Sequence, residues 1–229
     1  MRSDLRLAIL AILSFLLAAV VLAGVSGCAS NNTGKGAAIG AAGGAVAGAV
    51  IGNQTGSTAR GAIIGAVVGG VAGTIIGHQM DQQAAEIEQN VPGAIVERVG
   101  EGIHVTFPAG VLFDFDSAIV RADAATSLNS LANSLSKYQD SNLMIAGHTD
   151  AVGSEEYNHD LSVRRAESAS RYLFAGGVSR HIATAGLGER EPIATNETDA
   201  GRRKNRRIEI AIYASPALQE EARRQAEGR

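Results

Sequence analysis

Tryptophan is absent from this 229-residue chain, and aromatic residues make up only 4% of it. Hydrophobic residues nevertheless reach 45%, and there are 28 glycines. Part of the chain is therefore built from small residues rather than from a core of large ones. A single cysteine excludes an intramolecular disulfide framework. The formal net charge of -3 argues against a nucleic-acid-binding protein as a whole. No G-x-S-x-G turn surrounds any serine, and no H-E-x-x-H spacing joins the histidines, so neither a serine hydrolase nor a zinc site is expected. No enzyme activity, metal or cofactor is predicted. The length suffices for one ordinary domain plus additional segments.

Those segments come first. Arg2 and Arg6 precede an apolar run from Leu7 to Ala23, followed by Val25-Ser26-Gly27-Cys28. A short basic start, an apolar centre and small residues are the layout of a secretory signal peptide, here residues 1–27. The alternative is an uncleaved membrane anchor, for which the run is short. Residues 28–35 read as a polar linker. Residues 36–77 then repeat with period four: Gly36, Gly40, Gly44, Gly48 and Gly52 in one series, Gly61, Gly65, Gly69, Gly73 and Gly77 in a second. Residues four apart share a helix face, so each series predicts a helix with a glycine groove, together a helical hairpin able to self-associate. A flexible Gly/Ala linker is the competing reading. Residues 78–93 continue as a polar helix until Pro92-Gly93 breaks it.

From residue 94 to 215 the pattern is that of a folded domain. Ile95–Val99 and Ile103–Phe107 read as a hairpin, and Val111–Phe115 as a further strand. Leu128, Leu131 and Leu135 mark a helix over 122–138. Leu143–Ala146 is a strand, and a helix capped by Ser154 runs to about Phe174, stopping at Gly176-Gly177. Ile182–Leu187 and Arg207–Tyr213 complete the strands. Helices on one face of a mixed sheet give an α+β two-layer sandwich with βαβ units. Residues 216–229 form a charged tail, expected as a loose helix.

Asn158, Leu161 and Arg165 share one face of the helix that begins near Ser154. Asp150 lies in the loop feeding that helix. An acid and a guanidinium converging on one cleft suit a zwitterion, with its carboxylate on Arg165 and its ammonium on Asp150. A structural ion pair between the two is the plain alternative.

Several stretches together resemble the OmpA-like C-terminal domain, the peptidoglycan-binding module shared with Pal and MotB. They are Phe113-Asp114-Phe115-Asp116, Gly147-His148-Thr149-Asp150, Leu161-Ser162, Arg164-Arg165-Ala166, Gly186-Leu187-Gly188 and the run Gly201–Arg207. The resemblance covers about Val111 to Ile212. It implies peptidoglycan as partner, with the diaminopimelate of the stem peptide held by Asp150 and Arg165. By the same resemblance Asn158, Phe115, Asp116, Thr149 and Leu161 line the pocket, and Arg206 helps hold the ligand or braces the acids. The basic run Gly201–Arg207 thereby belongs to that pocket rather than to nucleic acid. The tetrapeptide ending in Cys28 resembles the lipobox of bacterial lipoproteins, which implies lipidation of Cys28. By lipoprotein sorting, Ala29 implies the outer membrane, with the domain facing the periplasm. The expected role is a non-covalent tether between outer membrane and cell wall. The rival is an envelope assembly or regulatory lipoprotein whose glycine zipper binds a protein partner.

Overall fold

The computed structural model describes residues 57–180 and 182–228. The expected signal peptide, Cys28 and the first glycine series lie outside the described residues.

Five strands form one mixed sheet: β1 (Ile95–Val99), β2 (Gly102–Pro108), β3 (Ser141–His148), β4 (Ile182–Gly188) and β5 (Arg207–Ala214). Their order is β1-β2-β5-β3-β4. All neighbours are antiparallel except β3 and β4, which are parallel and joined through the helix α5 (Glu155–Ala175). This is the expected βαβ unit. Alternation sends Ile103, Val105 and Phe107 of β2 to the same side as Ile208, Ile210 and Ile212 of β5. There they meet α4 (Ala125–Lys137), which contributes Leu128, Leu131 and Leu135, and the inner face of α5, and all nine of these side chains are buried.

The helical layer is larger than predicted. Helix α2 (Gly70–Asn90) inserts Ile76, Met80 and Ile87 into the same core, and α7 (Pro216–Glu227) adds Leu218 and Ala222. The tail is thus a packed helix, started by Ser215 accepting from the Leu218 amide at 3.2 Å. The boundary expected at residue 94 is not a packing boundary, because the polar segment 78–93 is amphipathic and its apolar side is part of the core.

The second glycine series is likewise not one helix. Helix α1 (Thr58–Ile64) ends at Gly65, and α2 starts only at Gly70. Between them Gly69 and Gly70 have φ of 75° and 63°, a left-handed conformation that L side chains resist. Glu101, in the β1–β2 turn, fixes this break by accepting from the Val68 and Gly69 amides at 2.8 Å each. The break puts α1 and α2 on opposite faces of the sheet. Helix α2 joins the main core, while α1 lies over the other face against Met144, Ala146, Ala211 and Tyr213. No helix among the described residues is long and apolar enough to cross a membrane.

The expected strand Val111–Phe115 is also absent. Ala109–Leu112 form a single helical turn, α3, and Phe113 makes only an isolated bridge to Val120. The basic run folds as α6 (Asp199–Asn205), with Thr198 as its N-cap and three cations in its last turn, where the helix dipole favours them.

Candidate functional site

Gly147 fixes the floor of the site. A Cβ there would lie 2.3 Å from the Ser162 carbonyl oxygen, so only glycine lets α5 approach β3 this closely. The chain then leaves β3 through Thr149, whose amide donates to the Gly188 oxygen at 2.9 Å, and reaches Asp150. One Asp150 oxygen accepts from the Val152 amide at 3.1 Å, which tightens the turn into α5. Ser154 caps α5 by accepting from the Tyr157 amide at 3.2 Å, as its position predicts.

The helix then presents Asn158, Leu161 and Arg165 inward, as their spacing predicts, and all three are buried. Arg165 is 4% exposed and Asp150 7%. They do not pair. Asp150 makes its ion pair with Arg206, which braces the acid as one of the two expected roles. Among the described residues Arg165 has no carboxylate within 4.0 Å. Its Nε donates to the Ser117 carbonyl at 2.8 Å and its Nη2 reaches the Asp114 carbonyl at 3.5 Å. The guanidinium lies 5.5 Å from the centroid of the Phe113 ring, a cation–π contact. Nη1 has no protein partner among the described residues. Burial lowers the pKa of Arg165, while the nearby charges of Asp116 and Asp150 act to raise it. A guanidinium stays charged at any physiological pH.

This is a preorganised cation: two backbone carbonyls and a ring hold it in place, and its net charge is uncompensated by direct contact. The ion-pair alternative between Asp150 and Arg165 is excluded by the geometry.

The remaining predicted residues divide. Asn158 donates from Nδ2 to Glu189 at 2.7 Å. Leu161 is buried beside it. Thr149 is buried, and its hydroxyl has no partner among the described residues. Asp116 accepts from the Tyr157 hydroxyl and has φ of 58°, the only described non-glycine residue in the left-handed region. Such strain persists where surrounding contacts determine it, and it clusters at functional sites. Phe115 stands 95% exposed on the same loop, with Ile119 80% exposed beyond it. Phe115 thus neither ends a strand nor fills a core; it projects from the loop that wraps Arg165.

Sequence reasoning missed Phe113, Tyr157 and Glu189. Phe113 had a usable signal, because in Phe113-Asp114-Phe115-Asp116 one of the two rings had to face inward. The Ser117 and Asp114 carbonyls had none, since backbone groups leave no mark in composition. Among the described residues no cluster of three His, Cys, Asp or Glu side chains could hold a metal.

Comparison with known proteins places these features. The OmpA family profile matches residues 112–206 and the YMGG-like Gly-zipper profile matches residues 6–81. The probable lipoprotein YiaD of Escherichia coli is 37% identical over 138 residues, covering 59% of this chain and 63% of that protein. The peptidoglycan-binding protein ArfA of Mycobacterium tuberculosis is 49% identical over 86 residues, covering 37% of this chain and 26% of ArfA. Among solved structures, the cell wall anchor of the T6SS from Pseudomonas aeruginosa aligns with a TM-score of 0.51 at 28% identity, covering 59% of this chain and 97% of that one. The chain spans between about a quarter and just under two thirds of the length of these curated relatives. On these matches the chain carries an OmpA-like domain over residues 112–206, preceded by a segment similar to the YMGG-like Gly-zipper over residues 6–81.

Proposed function

We propose that this protein is an outer-membrane lipoprotein whose OmpA-like domain binds peptidoglycan non-covalently through the diaminopimelate of the stem peptide, tethering membrane to wall. It acts as a binding protein rather than an enzyme. The observation that carries the reading is Arg165: a buried guanidinium held by carbonyls, with an unpartnered Nη1 and no acid in contact. The free end of diaminopimelate is an amino acid zwitterion. Its carboxylate meets Arg165 by a charge-assisted fork, and its ammonium meets Asp150, whose two oxygens have lone pairs beyond those used by Val152 and Arg206. Arg206 holds Asp150 in position through their ion pair and lends a second positive charge beside the ligand carboxylate. Asn158, Leu161 and Thr149 wall the pocket, and the Phe115–Asp116 loop forms its rim.

ArfA is named for peptidoglycan binding and the Pseudomonas structure is called a cell wall anchor. Both support the wall as partner, and the lipoprotein YiaD supports lipidation at Cys28. Acyl chains contribute roughly 0.8 kcal/mol per buried methylene, so two or more hold stably. The wall site need not be tight, because many copies confined between two surfaces act with avidity.

The test is sedimentation of the full chain, in detergent, with purified peptidoglycan sacculi. Wild type should pellet with sacculi, and Asp150→Ala should remain in the supernatant with an unchanged circular dichroism spectrum. Equal pelleting of the folded variant would remove Asp150 from the site.

A further inference from the structure

The face of the sheet opposite the main core carries a second, separate cluster. There Ala59, Ala62 and Ile63 of α1, with Ala66 just after it, rest on Met144, Ala146, Ala211 and Tyr213. Alanine supplies most of the contact on the helix side, so this cluster buries less apolar surface than the main core. Polar contacts hold its first turn. Ser57 donates to Glu209 at 2.6 Å, and Glu191, in the loop after β4, accepts from the Thr58 amide at 3.0 Å and from the Thr58 hydroxyl. Arg60 pairs with Glu97 of β1.

Beneath that first turn lies a buried ionisable cluster. Glu209 of β5 sits 3.1 Å from Nε2 of His104 (β2) and 3.8 Å from Nε2 of His148 (β3). Arg207 donates from Nε to Glu209 at 2.7 Å and from Nη2 to the Glu191 carbonyl at 3.0 Å. Glu97 approaches Nδ1 of His104 at 3.6 Å. These, with Glu191 and Arg60, are the charged and titratable groups facing the cluster. Both imidazoles are buried, and neither makes an aligned hydrogen bond among the described residues. Buried polar groups without aligned partners are uncommon in folded proteins, so the two rings call for an explanation.

We infer that residues 57–66 are a strap docked on the outer face of the sheet and released by mild acid, which exposes the apolar patch of Met144, Ala146, Ala211 and Tyr213. The release does not breach the main core, because α1 belongs only to the second cluster and the Gly69-Gly70 break separates it mechanically from α2. Acid acts through His148. Burial, with Arg207 adding repulsion, brings its pKa down to about 3 from the ordinary 6.5, so the docked form keeps the ring neutral. A released strap admits water and lets the ring take a proton. Docking therefore has its full strength above pH 6.5 and weakens as pH falls towards 3. Burial pushes Glu209 up, but its contact with His104 and the charge of Arg207 outweigh it and hold the carboxylate well below its usual range, so Glu209 stays ionised across that window. For a ring fully hydrated on release, the docking equilibrium falls about thirty-fold between pH 7.5 and 5.

Hydrogen exchange of the full chain in detergent, read by mass spectrometry and corrected for intrinsic rates, tests this. Amides of residues 58–66 should lose about thirty-fold protection from pH 7.5 to 5, while residues 141–148 and 155–175 keep theirs. Ile63→Asp should show the released pattern at both pH values. His148→Gln, neutral throughout, should lose the pH dependence. Unchanged strap protection in wild type overturns the inference, as does loss of protection in all three segments together. A folded His148→Gln that keeps the full pH response would move the switch away from His148 and equally overturn it.

Discussion

Replacing Arg165 by lysine keeps the positive charge and removes the fork, which separates a shaped site from a point charge. In the wild-type geometry Nε and Nη2 are occupied by the Ser117 and Asp114 carbonyls, and Nη1 has no partner among the described residues. A bound carboxylate would take Nη1 and the remaining Nη2 proton as two parallel bonds. Lysine offers one ammonium that cannot reproduce both the carbonyl contacts and the two-bond geometry. Losing one charge-assisted bond costs roughly 1.5–3 kcal/mol, a weakening of about ten- to hundred-fold. Arg165→Ala goes further, since it leaves the ligand carboxylate desolvated without a partner. That costs roughly 2–5 kcal/mol, or about thirty-fold to several thousand-fold. The assay is calorimetric titration of the full chain with a diaminopimelate-containing stem peptide, beside a melting curve for each variant. The Phe113 contact and the two carbonyl bonds are also lost, so both variants should melt below wild type. A folded Arg165→Ala that binds within twofold of wild type would refute the role given to Arg165. Lysine binding like wild type while alanine fails would refute the fork and leave only the charge.

Three further outcomes follow from sequence and packing. Cys28→Ala should leave the protein unlabelled by a fatty-acid probe; normal labelling would reject lipidation at that cysteine. A fragment starting at residue 94 should fail to give a cooperative melt, because it lacks Ile76, Met80 and Ile87, all fully buried. At roughly 1.5–3 kcal/mol each, their loss is comparable to the whole stability of a typical domain. A fragment starting at Ser57 should melt cooperatively, and equal melting of the two would contradict the place given to α2. Gly147→Ala should cost roughly 1–3 kcal/mol, because the new methyl meets the Ser162 carbonyl at 2.3 Å. Differential scanning calorimetry reads this as a lower melting temperature, and an unchanged one would show that α5 yields at no cost.

Elements whose residues pattern themselves against one partner were legible in the sequence. Helix α5 is the clearest: Ser154 caps it, Glu155 and Glu156 suit its first turn, and Asn158, Leu161 and Arg165 share the buried face. The hairpin and the strands β3 to β5 were readable for the same reason. What failed was period four. Glycines at Gly61, Gly65, Gly69, Gly73 and Gly77 fit a helix groove, yet Gly69 and Gly70 serve a left-handed break held by Glu101, a residue in a turn about thirty positions away. Periodicity records which residues could share a face, and a distant side chain decides whether the helix continues. Val111–Phe115 failed differently. Its alternation is real, but Phe113 alternates inward to meet Arg165 rather than to join a sheet. In the candidate site the acid and the arginine were both legible, and their partners were not. Asp150 takes Arg206, and Arg165 takes backbone oxygens, an arrangement invisible to spacing.

The adjacent pair Arg206-Arg207 shows how the fold divides the basic run. β5 begins at Arg207, and from there successive side chains leave on opposite sides. Arg206, just outside the strand, reaches Asp150 at the candidate wall site. Arg207, 1% exposed, turns to Glu209 and the Glu191 carbonyl beneath α1. The loop after β4 is divided in the same way: Glu189 holds Asn158, while Glu191 holds Thr58. Two neighbouring residues in each segment therefore serve two different surfaces. Within the basic run Arg206 is thus tied to Asp150 and Arg207 is sealed under a helix, while Arg203 and Lys204 stay exposed.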